Sequence, residues 1–256
     1  MSISDEKSNF KPERFSRESA KLGRGGDTAA RYRFGLFFLA GLLLLSTILA
    51  VMIGVVEISP RTMLSVLLNR IGFTDSPQMW AFSDEVIILY LRLPRVLGAA
   101  LVGAALSVAG IIFQGLLRNP MADPYVIGTS GGAALGASIG LVLSNYFSIL
   151  GFSAIPTFAF LGAIGTMILV YHLAKVGGRT PVVNLLLAGF SVSVILGYTM
   201  SFLLIVNDRL QVNVRILYTW LLGGVSISHW SQVGIIALMV FLGIILALVF
   251  ARTLNV

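Results

Sequence analysis

The run FGLFFLAGLLLLSTILAVMIGVV, residues 34–56, contains no charged residue. An α-helix needs about twenty consecutive apolar residues to cross the hydrocarbon core of a bilayer, and this run is long enough. Further apolar runs of similar length follow it along the 256-residue chain. Only 11% of all residues are charged, against about 25% in a soluble globular domain. The sequence therefore predicts an all-α, polytopic helical membrane protein.

Polar segments separate the apolar runs and set the approximate ends of about six transmembrane helices. These are expected at 34–56, 96–117, 125–144, 154–174, 182–206 and 232–250. Together they make residues 34–256 one transmembrane domain. Two of the segments between spans, residues 57–93 and 207–231, are predicted to contain structure other than loops. Ser59 and Pro60 predict the start of a short helix on the membrane surface, and Gly223 and Gly224 predict a break before the sixth span.

Basic residues are concentrated before the first span. Residues 1–33 hold eight of the eighteen Lys and Arg residues and are rich in Ser and Gly, so we expect a disordered tail. Positive charge is retained in the cytoplasm, and the alternation of loops then places twelve Lys and Arg residues inside and six outside. This predicts a cytoplasmic N-terminus. The tail has few aromatic residues and no binding motif, so nucleic acid is not the expected partner.

Several kinds of chemistry are excluded or disfavoured by composition. The chain has no cysteine, and its two histidines, His172 and His229, are far apart with no nearby carboxylate, so no metal site is expected. The Gly-Lys-Ser/Thr ending of a phosphate-binding loop is absent, so the chain is not expected to hydrolyse ATP itself. The predicted spans lack Asp and Glu, which disfavours an ion-coupled carrier.

The segment RNPMADPYVIGTSGG, residues 118–132, joins the second and third predicted spans. Pro120 cannot continue a helix and disfavours helical geometry at Asn119. Asp123 is a good N-cap and Pro124 a good first helical residue. With Arg118 these residues predict a structural turn on the cytoplasmic side.

Small residues recur at helical spacing beyond this turn. Gly128, Gly132, Gly136 and Gly140 fall every four residues and predict one face of the third helix. Such faces let helix backbones approach closely in lipid, so packing is the expected role. In the second span Gly103 lies on a similar small face, and Gln114 is expected to bond across helices.

Arg92 and Arg95 flank Pro94 at the predicted outer start of the second span. Two interpretations remain open for them. They are interfacial arginines whose charges reach the headgroup region, or they are a docking site for carboxylates of an external partner, with which Arg forms bidentate pairs.

The stretch RLPRVLGAALVGAALSVAGIIFQGLLRNPMADPYVIGTSGGAALGASIG, residues 92–140, closely resembles permease subunits of type II ABC importers. This family takes up iron–siderophore complexes, haem or cobalamin. LLLAGFSVS (185–193) and YTWLLGGVSISHW (218–230) match further family blocks in the right order. The resemblance covers residues 34–256.

The resemblance implies a function and its partners. The chain would be a non-enzymatic permease of a bacterial or archaeal plasma membrane, without a cofactor. It would pair with a second permease chain, as a homodimer, and with separate ATP-binding subunits and an extracytoplasmic substrate-binding protein. Arg92 and Arg95 would face that binding protein. Gly103, Gly110 and Gln114 would lie near the pathway or on packing seams.

The resemblance also implies an incomplete chain. Relatives have roughly ten spans, and ARTLNV, with Arg252 and Asn255, would open the cytoplasmic loop that docks on the ATPase. We therefore expect a C-terminally truncated permease. The leading substrate is an iron–siderophore complex, with cobalamin and haem open. The alternative is a non-transporting assembly partner or an inactive permease fragment.

Overall fold

The computed structural model describes residues 12–73, 80–144, 148–149 and 152–254. Within these ranges, five helices are long and apolar enough to cross a membrane, and a sixth apolar helix is shorter. The predicted class, an all-α polytopic membrane protein with about six spans, is confirmed. Residues 1–55 and 56–256 form two compact units.

The first unit contains helix α1, Pro12–Met52. Its membrane-length apolar part is Ala30–Met52, close to the predicted first span. The helix differs from the sequence prediction over residues 12–33, which are helical where a disordered tail was expected. Residues 1–11 of that tail lie outside the described residues.

The second unit opens with the predicted short helix, α2, Pro60–Ile71. The Ser59 side chain accepts a hydrogen bond from the backbone N–H of Thr62, and Pro60 occupies the first turn, where its missing N–H costs nothing. Gly72 ends the helix at a φ of 80°, and its N–H bonds back to the last turn. The capping residues therefore define both ends of α2.

The second predicted span begins earlier than residue 96. Helix α3 (Phe82–Val86), a π-helix (Ile87–Arg92) and α4 (Leu93–Leu117) run on without a break. Pro94 does not stop this helix, because it lies at the junction where the hydrogen-bond register changes. The 36 residues extend about 54 Å, well beyond a hydrocarbon core of about 30 Å, so one end must project from the core or the helix must tilt.

The third predicted span is divided in two. Asp123 caps a 3-10 helix, Pro124–Ile127, and Gly128 then takes a φ of 81° before α5, Thr129–Val142. A left-handed residue cannot continue either helix, so the continuous span predicted over 125–144 is wrong. The two pieces add to about 29 Å, near the thickness of the hydrocarbon core.

The last three predicted spans are present as α6, Ala154–Ala174, α7, Val182–Val206, and α10, Trp230–Leu254. Helices α8, Asp208–Val212, and α9, Val214–Leu221, lie between α7 and α10. Gly223, with a φ of 92°, follows α9 at the predicted break. A hairpin of two short strands, β1 (Ser148–Ile149) and β2 (Phe152–Ser153), precedes α6 and was not predicted.

Helix α5 lies at the centre of the second unit. It packs against α6 and α7 and is closed at one end by α8 and α9. Fully buried Leu210 of α8 and Leu217 of α9 contact Ala137 and Leu141 of α5 in one apolar cluster. Helix α4 packs on α10. The unit is thus a tight α5–α6–α7 bundle beside an α4–α10 pair.

Candidate functional site

Of the four glycines that sequence analysis assigned to one packing face, Gly132, Gly136 and Gly140 bring α5 directly against the backbone of α6. A Cβ atom at Gly132 would lie 2.5 Å from the carbonyl oxygen of Gly162, and one at Gly140 would lie 2.6 Å from that of Ala154. A Cβ at Gly136 would meet the carbonyl of Phe158. All three glycines are buried. A side chain at any of these positions would push the two helices apart.

The fourth glycine, Gly128, has a different place. It lies before α5 rather than on its face, in the left-handed conformation that separates α5 from the 3-10 helix. A Cβ there would lie 2.8 Å from the carbonyl oxygen of Gly189 on α7. A Cβ at nearby Gly131 would lie 3.0 Å from the Cα of Ser193 on α7, a contact that sequence analysis missed. Gly128 therefore serves both backbone geometry and the α7 contact.

The small face of α4 is not packed in this way. A Cβ at Gly103 or Gly110 would meet no atom within 4 Å among the described residues. Ser107 bonds its hydroxyl to the carbonyl of Gly103, and Gln114 is exposed. Gly103, Ser107, Gly110 and Gln114 follow helical spacing, so α4 presents a small, partly polar stripe that this bundle leaves open.

The turn after α4 is held by its own side chains. Arg118 ends the helix with a φ of 48°. Asn119 Oδ1 accepts a hydrogen bond from the N–H of Met121 at 2.9 Å, and Asp123 Oδ1 accepts one from the N–H of Tyr125 at 2.9 Å. Both contacts are Asx turns, so the side chains of Asn119 and Asp123 each have a local structural role.

The turn and the open stripe meet at one cavity of about 450 Å³. Gly110 and Gln114 of α4 line one side, and Pro120, Asp123 and Pro124 line the other. The structure thus brings together two groups of residues that sequence analysis treated separately, the turn and the small face of α4. The exposed side chain of Gln114 brings both donor and acceptor atoms to this cavity.

The two arginines of the RLPR block differ in environment. Arg92 is half-buried, and its guanidinium donates a hydrogen bond to the carbonyl of Val56, which fastens the segment before α2 to the π-helix. Arg95, three residues on, is exposed. Of the pair, Arg95 is the more accessible to a partner.

The carboxylate-free character of the spans needs one correction. Because the second helical stretch begins at Phe82, Asp84 and Glu85 lie in its first turns. Glu85 Oε2 accepts a hydrogen bond from Trp80 Nε1 at 3.2 Å. Among the described residues, α4, α6, α7 and α10 contain neither Asp nor Glu.

A larger cavity of about 520 Å³ was not anticipated from sequence. It lies between α4, the start of α6, α9 and the segment before α10. Ile216, Trp220 and Ile227 form its apolar walls, and Arg215 is its charged residue. The amphipathic pattern of α9 was the available signal for it.

Arg252 and Asn255 were predicted to open a coupling loop. Arg252 belongs to the last turns of α10, and Asn255 falls outside the described residues. Their predicted place at the start of a coupling loop stays a prediction.

Comparison with known proteins gives consistent matches. The profile of the FecCD transport family matches residues 42–256. An uncharacterized ABC transporter permease of Bacillus subtilis, YvrB, is 37% identical over 89% of this chain and 62% of its own length. The cobalamin import system permease BtuC of Halobacterium salinarum is 38% identical over 67% of this chain and 45% of its own.

A solved structure shares the fold. A metal-chelate type ABC transporter in an inward-facing conformation is 26% identical, with a TM-score of 0.63, over 86% of this chain and 63% of that one. The chain therefore spans between about half and two thirds of the length of these proteins.

Proposed function

Because this chain belongs to the FecCD transport family, we propose that it is a permease subunit of an ATP-driven importer of metal chelates. The match of the family profile over residues 42–256 is the observation that carries this proposal. An iron–siderophore complex is the proposed cargo. Cobalamin, the named cargo of the Halobacterium relative, and haem are the alternatives to test against it.

In the proposed mechanism this chain makes and breaks no covalent bond. ATP binding and hydrolysis in separate cytoplasmic subunits switch a pair of permease chains between outward-open and inward-open states. The chain is a multi-pass membrane protein, and we place it in the plasma membrane with its N-terminus in the cytoplasm, as its charge distribution favours.

The α5–α6–α7 bundle suits the part of such a machine that moves as one piece. Its backbones touch at Gly132, Gly136 and Gly140, so few side chains lie between α5 and α6 that could rearrange. Packed interfaces of this kind shift between discrete arrangements rather than deform continuously. The bundle would therefore transmit motion from one side of the membrane to the other.

The open stripe of α4 suits contact with either the cargo or the second permease chain. An exposed Gln114 is unfavourable against hydrocarbon, because its amide needs hydrogen-bond partners. Gly103 and Gly110 leave room for a close approach. Arg95 lies in the first turn of α4, at the end opposite Gln114, and is exposed. It is the proposed contact for a carboxylate of the extracytoplasmic binding protein.

The proposal is tested by uptake. The gene is deleted in its native host, and accumulation of radiolabelled iron–siderophore, cobalamin and haem is measured with and without the restored gene. We expect loss of one class of chelate and its recovery on complementation. Uptake should stop when the P-loop lysine of the partner ATPase is substituted.

Two results would overturn the proposal. One is unchanged uptake of all three chelates in the deletion strain. The other is uptake that continues with the inactive ATPase and collapses with an uncoupler, since that behaviour belongs to an ion-coupled carrier.

A further inference from the structure

A groove of about 390 Å³ lies where α2, the π-helix and the start of α10 meet. Leu67 and Ile71 of α2, Leu89 and Tyr90 of the π-helix, and Trp230 of α10 form apolar walls, and Arg70 lies at the edge. This volume is in the range of about 300–1,000 Å³ that small-molecule pockets occupy. The groove is separate from the surfaces assigned to transport above.

One wall of the groove is fixed in place. Trp230 Nε1 donates a hydrogen bond to the carbonyl oxygen of buried Leu89 at 3.0 Å. This bond sets the orientation of the indole ring, while 42% of the residue surface stays exposed. The indole ring is therefore held as one wall of the groove and does not rotate into it.

The surroundings of the groove match the boundary between hydrocarbon and headgroups. Large apolar side chains on and just after α2 are exposed, among them Leu64, Ile71 and Phe73. Tyr90 and Trp230 are both partly exposed, and such residues are enriched where a membrane meets water. A groove in this setting is open to the acyl chains of lipid.

Among the described residues that line the groove, the one charged side chain is positive. Arg70 lies in the last turn of α2 and is exposed. A guanidinium binds a phosphate through two parallel hydrogen bonds, and every phospholipid headgroup offers a phosphate. In a zwitterionic headgroup the ammonium group is repelled by the guanidinium and offsets part of that attraction, whereas an anionic headgroup has no such cation. Charge complementarity therefore selects an anionic headgroup above an apolar chain.

We propose that this groove binds one anionic phospholipid, with an acyl chain between α2 and Trp230 and the phosphate on Arg70. The site would retain this lipid while the neutral lipids around it exchange. It would thereby connect α2 to the π-helix through the lipid itself.

The test uses the fluorescence of Trp230. The full chain carrying Trp80→Phe and Trp220→Phe is placed in vesicles of phosphatidylcholine with a fixed fraction of brominated phosphatidylglycerol or brominated phosphatidylcholine. Bromine quenches an indole that it touches. We expect quenching by the brominated anionic lipid at about fivefold lower mole fraction than by the neutral one.

Arg70→Gln should remove that preference, and Arg70→Lys should keep most of it. The matched control is Arg61→Gln, which removes an exposed charge from the first turn of the same helix but outside the groove. It changes the general surface potential equally and should leave the preference intact.

Three outcomes would overturn the proposal: equal quenching by both lipids, equal loss in Arg61→Gln and Arg70→Gln, or no quenching because a second copy of the chain covers Trp230. If the Trp-depleted protein does not fold, intact-mass measurement of lipid adducts on the wild type, Arg70→Gln and Arg61→Gln decides the same question. A phosphatidylglycerol adduct that survives in Arg70→Gln would count against the site.

Discussion

The indole of Trp230 donates its hydrogen bond to the backbone carbonyl of Leu89 at a position where the helix itself has no donor to offer. In the π-helix, Leu93 N–H bonds to Ile88 O, five residues back. The next donor in this register would be residue 94, which is Pro94 and has no N–H. Trp230 of α10 thus supplies the missing donor for Leu89 of the π-helix, 141 positions earlier in the chain.

Trp230→Phe should destabilise the protein by about 1–3 kcal/mol, because a buried carbonyl loses its donor. Thermal unfolding in detergent measures this. In a Pro94→Ala background, residue 94 regains an N–H that can reach Leu89, so the same substitution should cost less. An equal cost in both backgrounds would show that Trp230 acts only by packing.

Gly136→Leu should separate α5 from α6, since the new side chain would meet the carbonyl of Phe158. We expect a loss of at least about 1–3 kcal/mol of stability. Gly132→Leu should behave in the same way. The matched control is Gly165→Leu on α6, where a Cβ meets no described atom within 4 Å. If Gly136→Leu and Gly165→Leu unfold at the same temperature, the close-packing interpretation is wrong.

Arg95→Glu should weaken docking of the substrate-binding protein, because the exposed charge would then repel the carboxylates that it is proposed to bind. A desolvated charge pair broken in this way costs about 2–5 kcal/mol. Binding to the reconstituted permease, measured by surface plasmon resonance at two salt concentrations, gives the value. Arg179→Glu, on the predicted cytoplasmic side, should not change docking.

Arg92→Glu should weaken docking and lower stability together, because Arg92 also donates to the carbonyl of Val56. Thermal unfolding of Arg92→Glu and Arg95→Glu therefore separates the two arginines. Unchanged stability in Arg92→Glu would mean that its contact with Val56 contributes nothing.

Asp123→Ala should loosen the turn after α4, because the N–H of Tyr125 loses its acceptor. Removal of such a cap costs about 1 kcal/mol. Asp123→Asn retains an acceptor oxygen and should stay close to wild type. A large loss of stability in Asp123→Asn would instead indicate that the negative charge of Asp123 matters.

The break between α6 and α7 could be predicted because local residues determine it. Gly177 and Gly178 take positive φ angles between these helices, and Pro181 precedes α7, so the breaks follow from those residue types. The start of α2 followed from Ser59 and Pro60 for the same reason. Where the nearest neighbours in sequence decide the backbone, the pattern was sufficient.

Other features depend on residues distant in sequence. Nothing near Pro94 indicates that a π-helix precedes it, because the compensating donor is Trp230. Likewise Gly103 and Gly136 are equivalent by spacing, yet in the part of the chain that the structure describes only Gly136 has a backbone against it. The cavity that joins Gln114 to Asp123 requires the turn to fold back on α4. Sequence spacing carries no information about these approaches.

The glycine-packed position of α5 has a consequence for biogenesis. The ribosome completes α5 before α6 and α7, the two helices that cover it. With 14 residues, α5 by itself is shorter than the roughly twenty residues that a membrane-spanning helix needs. We therefore expect α5 to integrate stably only after α6 and α7 have been made.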